Sequence, residues 1–100
     1  MNELTAFQKE GEERVSQVLE AAGLTVRHRR VMTGQMPHMT APETALMLAA
    51  DRVEIWLYGD EATFSTTNDD CRYERPDYSS EDDLLVAFLT DLQRALAGCK

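Results

Sequence analysis

The stretch Val53-Glu54-Ile55-Trp56-Leu57-Tyr58-Gly59-Asp60-Glu61-Ala62-Thr63-Phe64-Ser65 decides the fold. Apolar and polar residues alternate on both sides of Gly59-Asp60, the pattern of two half-buried strands joined by a tight turn. Gly59-Asp60 suits a two-residue type II′ turn, because glycine accepts the positive φ that such a turn needs. A turn of that length fixes the register. It sets Tyr58 against Glu61, Leu57 against Ala62, Trp56 against Thr63, Ile55 against Phe64 and Glu54 against Ser65. One face of the hairpin then carries Val53, Ile55, Leu57, Ala62 and Phe64. The other carries Glu54, Trp56, Tyr58, Glu61, Thr63 and Ser65. A slip by one residue would turn the charged set into the core.

Working outward, a second turn at Asn68-Asp69 brings in a strand from Cys71 to Arg75. Tyr73 joins Phe64 on the apolar face, and Arg72 and Glu74 join the polar one. Ser80 can cap a final helix, with Glu81, Asp82 and Asp83 suited to the positive end of its dipole. Leu85, Phe88, Leu92 and Leu96 form its apolar stripe, broadened by Leu84 and Leu89. On the N-terminal side, Leu4, Phe7, Gly11, Val15, Val18 and Ala22 recur at helical spacing up to a stop at Gly23. Leu24 to Arg29 alternate as a strand whose outward positions are basic. Residues 32 to 40 read as a loop, given Gly34 and Pro37. Thr40-Ala41-Pro42-Glu43 is a capping-box pattern and predicts a short helix over about residues 41 to 50, although Leu46-Met47-Leu48 also suits a strand. The expected architecture is one α+β domain over residues 1 to 100. It is a two-layer sandwich, with a small, mostly antiparallel sheet and the N- and C-terminal helices on one of its faces.

Composition narrows the function classes. The chain has 100 residues, 43% of them hydrophobic, which is enough for a small core. Its formal net charge is −8, from 18 acidic and 10 basic residues. That balance disfavours nucleic acid and anionic membranes and favours basic partners. Residues 54 to 83 hold ten carboxylates against Arg72 and Arg75, so this segment carries the whole net charge. Cys71 and Cys99 form neither a disulfide framework nor a zinc site. With no secretory pattern after Met1, a reduced cytoplasmic protein is expected.

No catalytic signature stands out. The two histidines and two cysteines are far apart in sequence, and no phosphate loop, H-E-x-x-H or G-x-S-x-G occurs. Met32, Met36, His38 and Met39 crowd one segment, where thioether and imidazole groups suit Cu(I). Flexible methionines equally fill gaps or build adaptable surfaces, and no cofactor or metal is expected. Arg27, Arg29 and Arg30 are expected to pair with neighbouring carboxylates. The candidate site is the polar face of the hairpin. Trp56 and Tyr58 either serve cross-strand packing, with partial cover by residues 32 to 40, or are its aromatic anchors, with Glu54, Glu61 and Glu74 as its charged rim. Tryptophan and tyrosine dominate interface energetics, and surrounding carboxylates select basic partners.

The segments E-I-W-L-Y-G-D-E-A-T-F-S and C-R-Y-E-R-P-D-Y-S-S-E-D-D-L-L-V-A-F-L span the second half of the chain. With their acidic turn, aromatic-acidic exit and C-terminal amphipathic helix, they resemble small acidic immunity proteins of bacterial polymorphic-toxin systems. The resemblance implies a non-enzymatic inhibitor that binds one toxin domain and blocks its active or substrate site. Two other classes compete with it. One is an acidic adaptor or secretion-chaperone-like protein that binds a client segment. The other is a small-ligand-binding domain or enzyme, which would need a concave pocket.

Overall fold

A computed structural model describes residues 4–34, 43–67 and 69–98. Helix α1 (Ala6–Ala21) is followed by five strands, β1 (His28–Gly34), β2 (Glu43–Ala50), β3 (Val53–Leu57), β4 (Glu61–Thr66) and β5 (Asp70–Glu74). A 3-10 turn at Arg75–Asp77 then leads into helix α2 (Glu81–Gly98). The strands form one antiparallel sheet in sequence order. Helix α1 lies over β2 and β3, α2 lies over β4 and β5, and the helices touch each other. The two-layer α+β arrangement is the expected one.

The hairpin register is also the expected one, with Ile55 opposite Phe64 and Trp56 opposite Thr63. The turn itself differs. Gly23 is the only described glycine with positive φ, so Gly59 does not form a type II′ turn. The loop keeps its two-residue length, closed by a hydrogen bond from the Tyr58 amide to the Glu61 carbonyl at 2.8 Å. Contacts from elsewhere hold it. The Gly59 amide donates to Glu43 Oε1 at 3.3 Å, and the Gly59 carbonyl accepts from the Thr5 hydroxyl at 3.5 Å.

The helix expected over residues 41 to 50 is instead strand β2. Residues 40 to 42 of the capping-box pattern lie outside the described residues. From Glu43 onward the segment pairs with β1 on one side and β3 on the other. Pairing with β1 from Glu43 to Ala49 and with β3 from Leu46 to Ala50 satisfies more of its backbone than one short helix would. A central strand covered on one face and flanked by side chains on the other reads as a nearly continuous apolar run, which is what makes Leu46-Met47-Leu48 ambiguous. Strand β1 is likewise displaced, to His28–Gly34 rather than Leu24–Arg29, so Met32, Thr33 and Gly34 are strand and not the start of the expected loop, whose remaining residues 35–40 lie outside the described residues. Leu24 and Val26 still pack against the core from the segment before it.

Packing explains the layer order. Phe7, Val15 and Leu19 of α1 and Leu84, Leu85, Phe88 and Leu92 of α2 bury against Leu46, Leu48, Ile55, Leu57 and Phe64 of the sheet. Gly11 allows the closest approach: a Cβ there would lie 3.2 Å from Leu57 Cδ1 and 3.5 Å from Leu85 Cδ2. Gln8 fixes the helix to the sheet. Its Oε1 accepts from the Thr5 amide at 2.8 Å while the Thr5 hydroxyl accepts from the Gln8 amide at 3.2 Å, a reciprocal cap. Its Nε2 donates to the carbonyls of Thr44 at 2.7 Å and Leu57 at 2.9 Å, beside the last β2–β3 pair. The Thr5-Ala6-Phe7-Gln8 capping signal is present in the sequence, and the register of α1 could have been read from it.

Candidate functional site on the open sheet face

Strand alternation places every second residue on the side away from the helices. The registers align these residues in rows. One row runs Arg30, Met47, Trp56, Thr63, Arg72, and a second runs His28, Ala49, Glu54, Ser65, Asp70. Met32 and Ala45 are paired beside Tyr58, and Glu61 is paired with Glu74. Among the described residues, no helix packs on this face. The five residues singled out in the sequence, Glu54, Trp56, Tyr58, Glu61 and Glu74, therefore share one surface.

The aromatics are organised. The rings of Trp56 and Tyr58 lie 14° from parallel with centroids 6.3 Å apart, and both are partly buried. Residues two apart on a strand point the same way, so each ring shields a face of the other. Trp56 Nε1 donates to Glu54 Oε1 at 2.6 Å, which satisfies the indole and fixes its orientation. The Tyr58 phenol is pushed above its ordinary pKa, chiefly by burial and then by the nearby charges of Glu61 and Glu43. It remains a neutral donor and acceptor at neutral pH.

The rim is less open than its sequence suggests. Arg72 Nε lies 2.7 Å from Glu61 Oε1 and 3.0 Å from Glu74 Oε1, so one guanidinium spans both carboxylates. The register puts Arg72 on the same face, one row from the Glu61–Glu74 pair. At the other edge of the sheet, two of the three arginines find carboxylates as expected. Arg27 pairs with Asp51 at 3.1 Å, and Arg29 pairs with Glu12 of α1. Arg29 therefore faces the helices, whereas His28 and Arg30 lie on the open side.

The alternatives leave weaker traces. Tyr73 Oη donates to Asp91 Oδ2 at 2.6 Å on the helix side, next to a shallow hollow of about 260 Å³ lined by Phe64, Asp69, Cys71, Asp91, Arg94 and Ala95. Burial, then the bond to Asp91, drives the Tyr73 phenol well above the ordinary tyrosine range, so it holds its proton and serves as a structural donor. Of the methionine-rich segment, Met36, His38 and Met39 lie outside the described residues. Among the described residues, no group of three or more histidine, cysteine or acidic side chains is placed to hold a metal. No described helix is long and apolar enough to cross a membrane. Cys71 is a free thiol, partly buried at the edge of the core. Comparison with protein-family models, curated proteins and solved structures finds no match to this chain.

Proposed function

We propose that the protein is a non-enzymatic binding module that takes a basic protein partner on the open sheet face, in the manner of an immunity-type inhibitor of a toxin domain. One observation carries the reading: a stacked tryptophan–tyrosine pair sits in the middle of a sheet face that no described helix covers. An open antiparallel face is ordinarily polar. Two partly buried aromatics with Met47 between the strands provide the apolar centre of an interface, and the polar row mates provide its rim. On this face Glu54, Glu61, Asp70 and Glu74 outnumber Arg30 and Arg72, which favours a basic partner over an acidic one.

The test is binding to a stoichiometric partner, followed by kinetics at two salt concentrations. Trp56→Ala is expected to raise the off-rate by ten-fold or more, equivalent to about 1.4 kcal/mol or greater. Glu54→Gln is expected to slow association, with the deficit shrinking as salt is added. A Trp56→Ala variant that folds and binds like wild type rejects this face.

A further inference from the structure

The open face carries a cation of its own. Arg72 reaches from the outermost strand onto Glu61, and the two partners differ in exposure. The Glu61 side chain is 19% accessible and the Arg72 side chain 65%. The carboxylate is recessed, and the guanidinium covers it from the solvent side. The Glu61 carbonyl accepts from the Tyr58 amide at 2.8 Å, which places this pair beside the aromatic centre. Resting on the reading of this face as the seat of a basic partner, we propose that Arg72 is an internal stand-in for an arginine of that partner. It occupies Glu61 in the free protein and swings away when the partner's guanidinium arrives.

Three features support displacement. Arg72 is 65% exposed and is shared with Glu74, so on leaving Glu61 its guanidinium keeps water and a second carboxylate. Arg72 is a long side chain anchored on an edge strand with solvent on one side, so it has room to leave. The incoming group also gains something that Arg72 lacks. Among the described residues no cation lies over either ring of the Trp56–Tyr58 pair, while an arginine presented from above can stack on a ring and reach Glu61 together. The occupant is thus a protein segment presenting an exposed arginine. Arg72 acts against weakly basic competitors, because only a group that makes both contacts outbids it.

The probe is a capped hexa-arginine peptide, titrated at low salt against the intact chain. Trp56 is the chain's only tryptophan, so its fluorescence reports from the site. Arg72→Gln is expected to bind the peptide about five-fold more tightly than wild type, the effect of removing one nearby competing charge. Arg27→Gln removes the same charge beside Asp51, at the opposite end of the sheet, and is expected to change affinity by less than about two-fold. Adding Glu61→Gln to Arg72→Gln is expected to abolish the gain. Equal gains in Arg72→Gln and Arg27→Gln, or a gain that survives loss of Glu61, would overturn displacement and leave only net charge. Wild type and Arg72→Gln responding with equal affinity overturns displacement while the basic-partner reading stands. No fluorescence response in any variant rejects both. Circular dichroism checks that each variant is folded.

Discussion

The two faces of the sheet are built from alternate residues of the same strands and are finished in opposite ways. Ile55 and Leu57 point under the helices and are fully buried, while Trp56 between them points outward and is only partly covered. On the helix side, burial is supplied by other elements: Phe88 meets Phe64 and Tyr73 edge-on at 5.9 and 5.5 Å. On the open side, burial is supplied locally, by Tyr58 against Trp56 and by Glu54 on the indole. The lesson is that the open face is not a half-built core waiting for a missing helix. Its tryptophan is stacked on Tyr58 and oriented by Glu54 with no described helix over it, so the pair offers apolar surface to a partner.

If this contrast is right, mutations on the two faces differ sharply in cost. The largest effect is expected at Phe88, where three aromatic rings converge with no exposure. Phe88→Ala is expected to cost about 3–5 kcal/mol, from lost burial plus the cavity left behind. Urea or thermal denaturation measures it, and a midpoint close to wild type would break the packing scheme on the helix side. Next is Gln8, fully buried and shared between the helix cap and two strand carbonyls. Gln8→Ala leaves the Thr44 and Leu57 carbonyls without that donor and halves the cap. A loss of about 1–3 kcal/mol is expected in the same measurement. A neutral result would mean that water replaces the amide.

How much of this could be read from the sequence depended on whether a segment is covered on one face or approached from both. The β3–β4 hairpin has a plainly apolar side and a plainly polar one, so alternation gave its register even though Gly59 does not adopt the expected turn. Strand β2 is central, with Leu46 and Leu48 under the helices and Ala45, Met47 and Ala49 on a face that its neighbours partly cover. Its period was therefore blurred, and a local capping pattern at its start pointed to helix. The candidate site was legible as a set, because five residues of one alternation share one surface. The hold of Arg72 on Glu61 and Glu74 was not, because it joins separate strands and depends on side-chain reach rather than on pattern.

Tyr73 sharpens the contrast through pH. Its folded-state pKa is raised, chiefly by burial and then by the hydrogen bond to Asp91. A raised pKa means that the folded state holds the proton more tightly than the unfolded one, whose tyrosines titrate near about 10. The stabilisation is full below that pH and is lost as pH climbs through the folded-state value. Tyr73→Phe is expected to cost about 1 kcal/mol at neutral pH, where the bond to Asp91 is lost. The gap between wild type and variant should narrow as pH rises above about 10, because the wild-type phenol then penalises folding. Denaturation at neutral pH and at high pH measures both. A gap that does not change with pH would mean that the phenol is not held protonated by the fold.

The smallest stability effect is expected at Trp56, the residue on which the binding proposal depends most. Its ring is partly buried by a neighbour on its own strand and by the Met47–Thr63 row, not by a helix. Removing it forfeits one stacked contact and the hydrogen bond to Glu54, and the space it leaves opens to water instead of forming a sealed cavity. Stacked aromatic pairs contribute about 0.5–1.5 kcal/mol, and the exposed carboxylate regains water, so Trp56→Ala is expected to destabilise by about 1 kcal/mol or less. The comparison with Phe88→Ala is then a ratio of several-fold between two large aromatics in one small protein. Parallel urea titrations of the two variants read that ratio directly. If Trp56→Ala costs as much as Phe88→Ala, the open face is a second core whose cover comes from the chain itself. If the cost is small, the fold does not depend on the tryptophan, and its loss should appear instead in the off-rate of a bound partner.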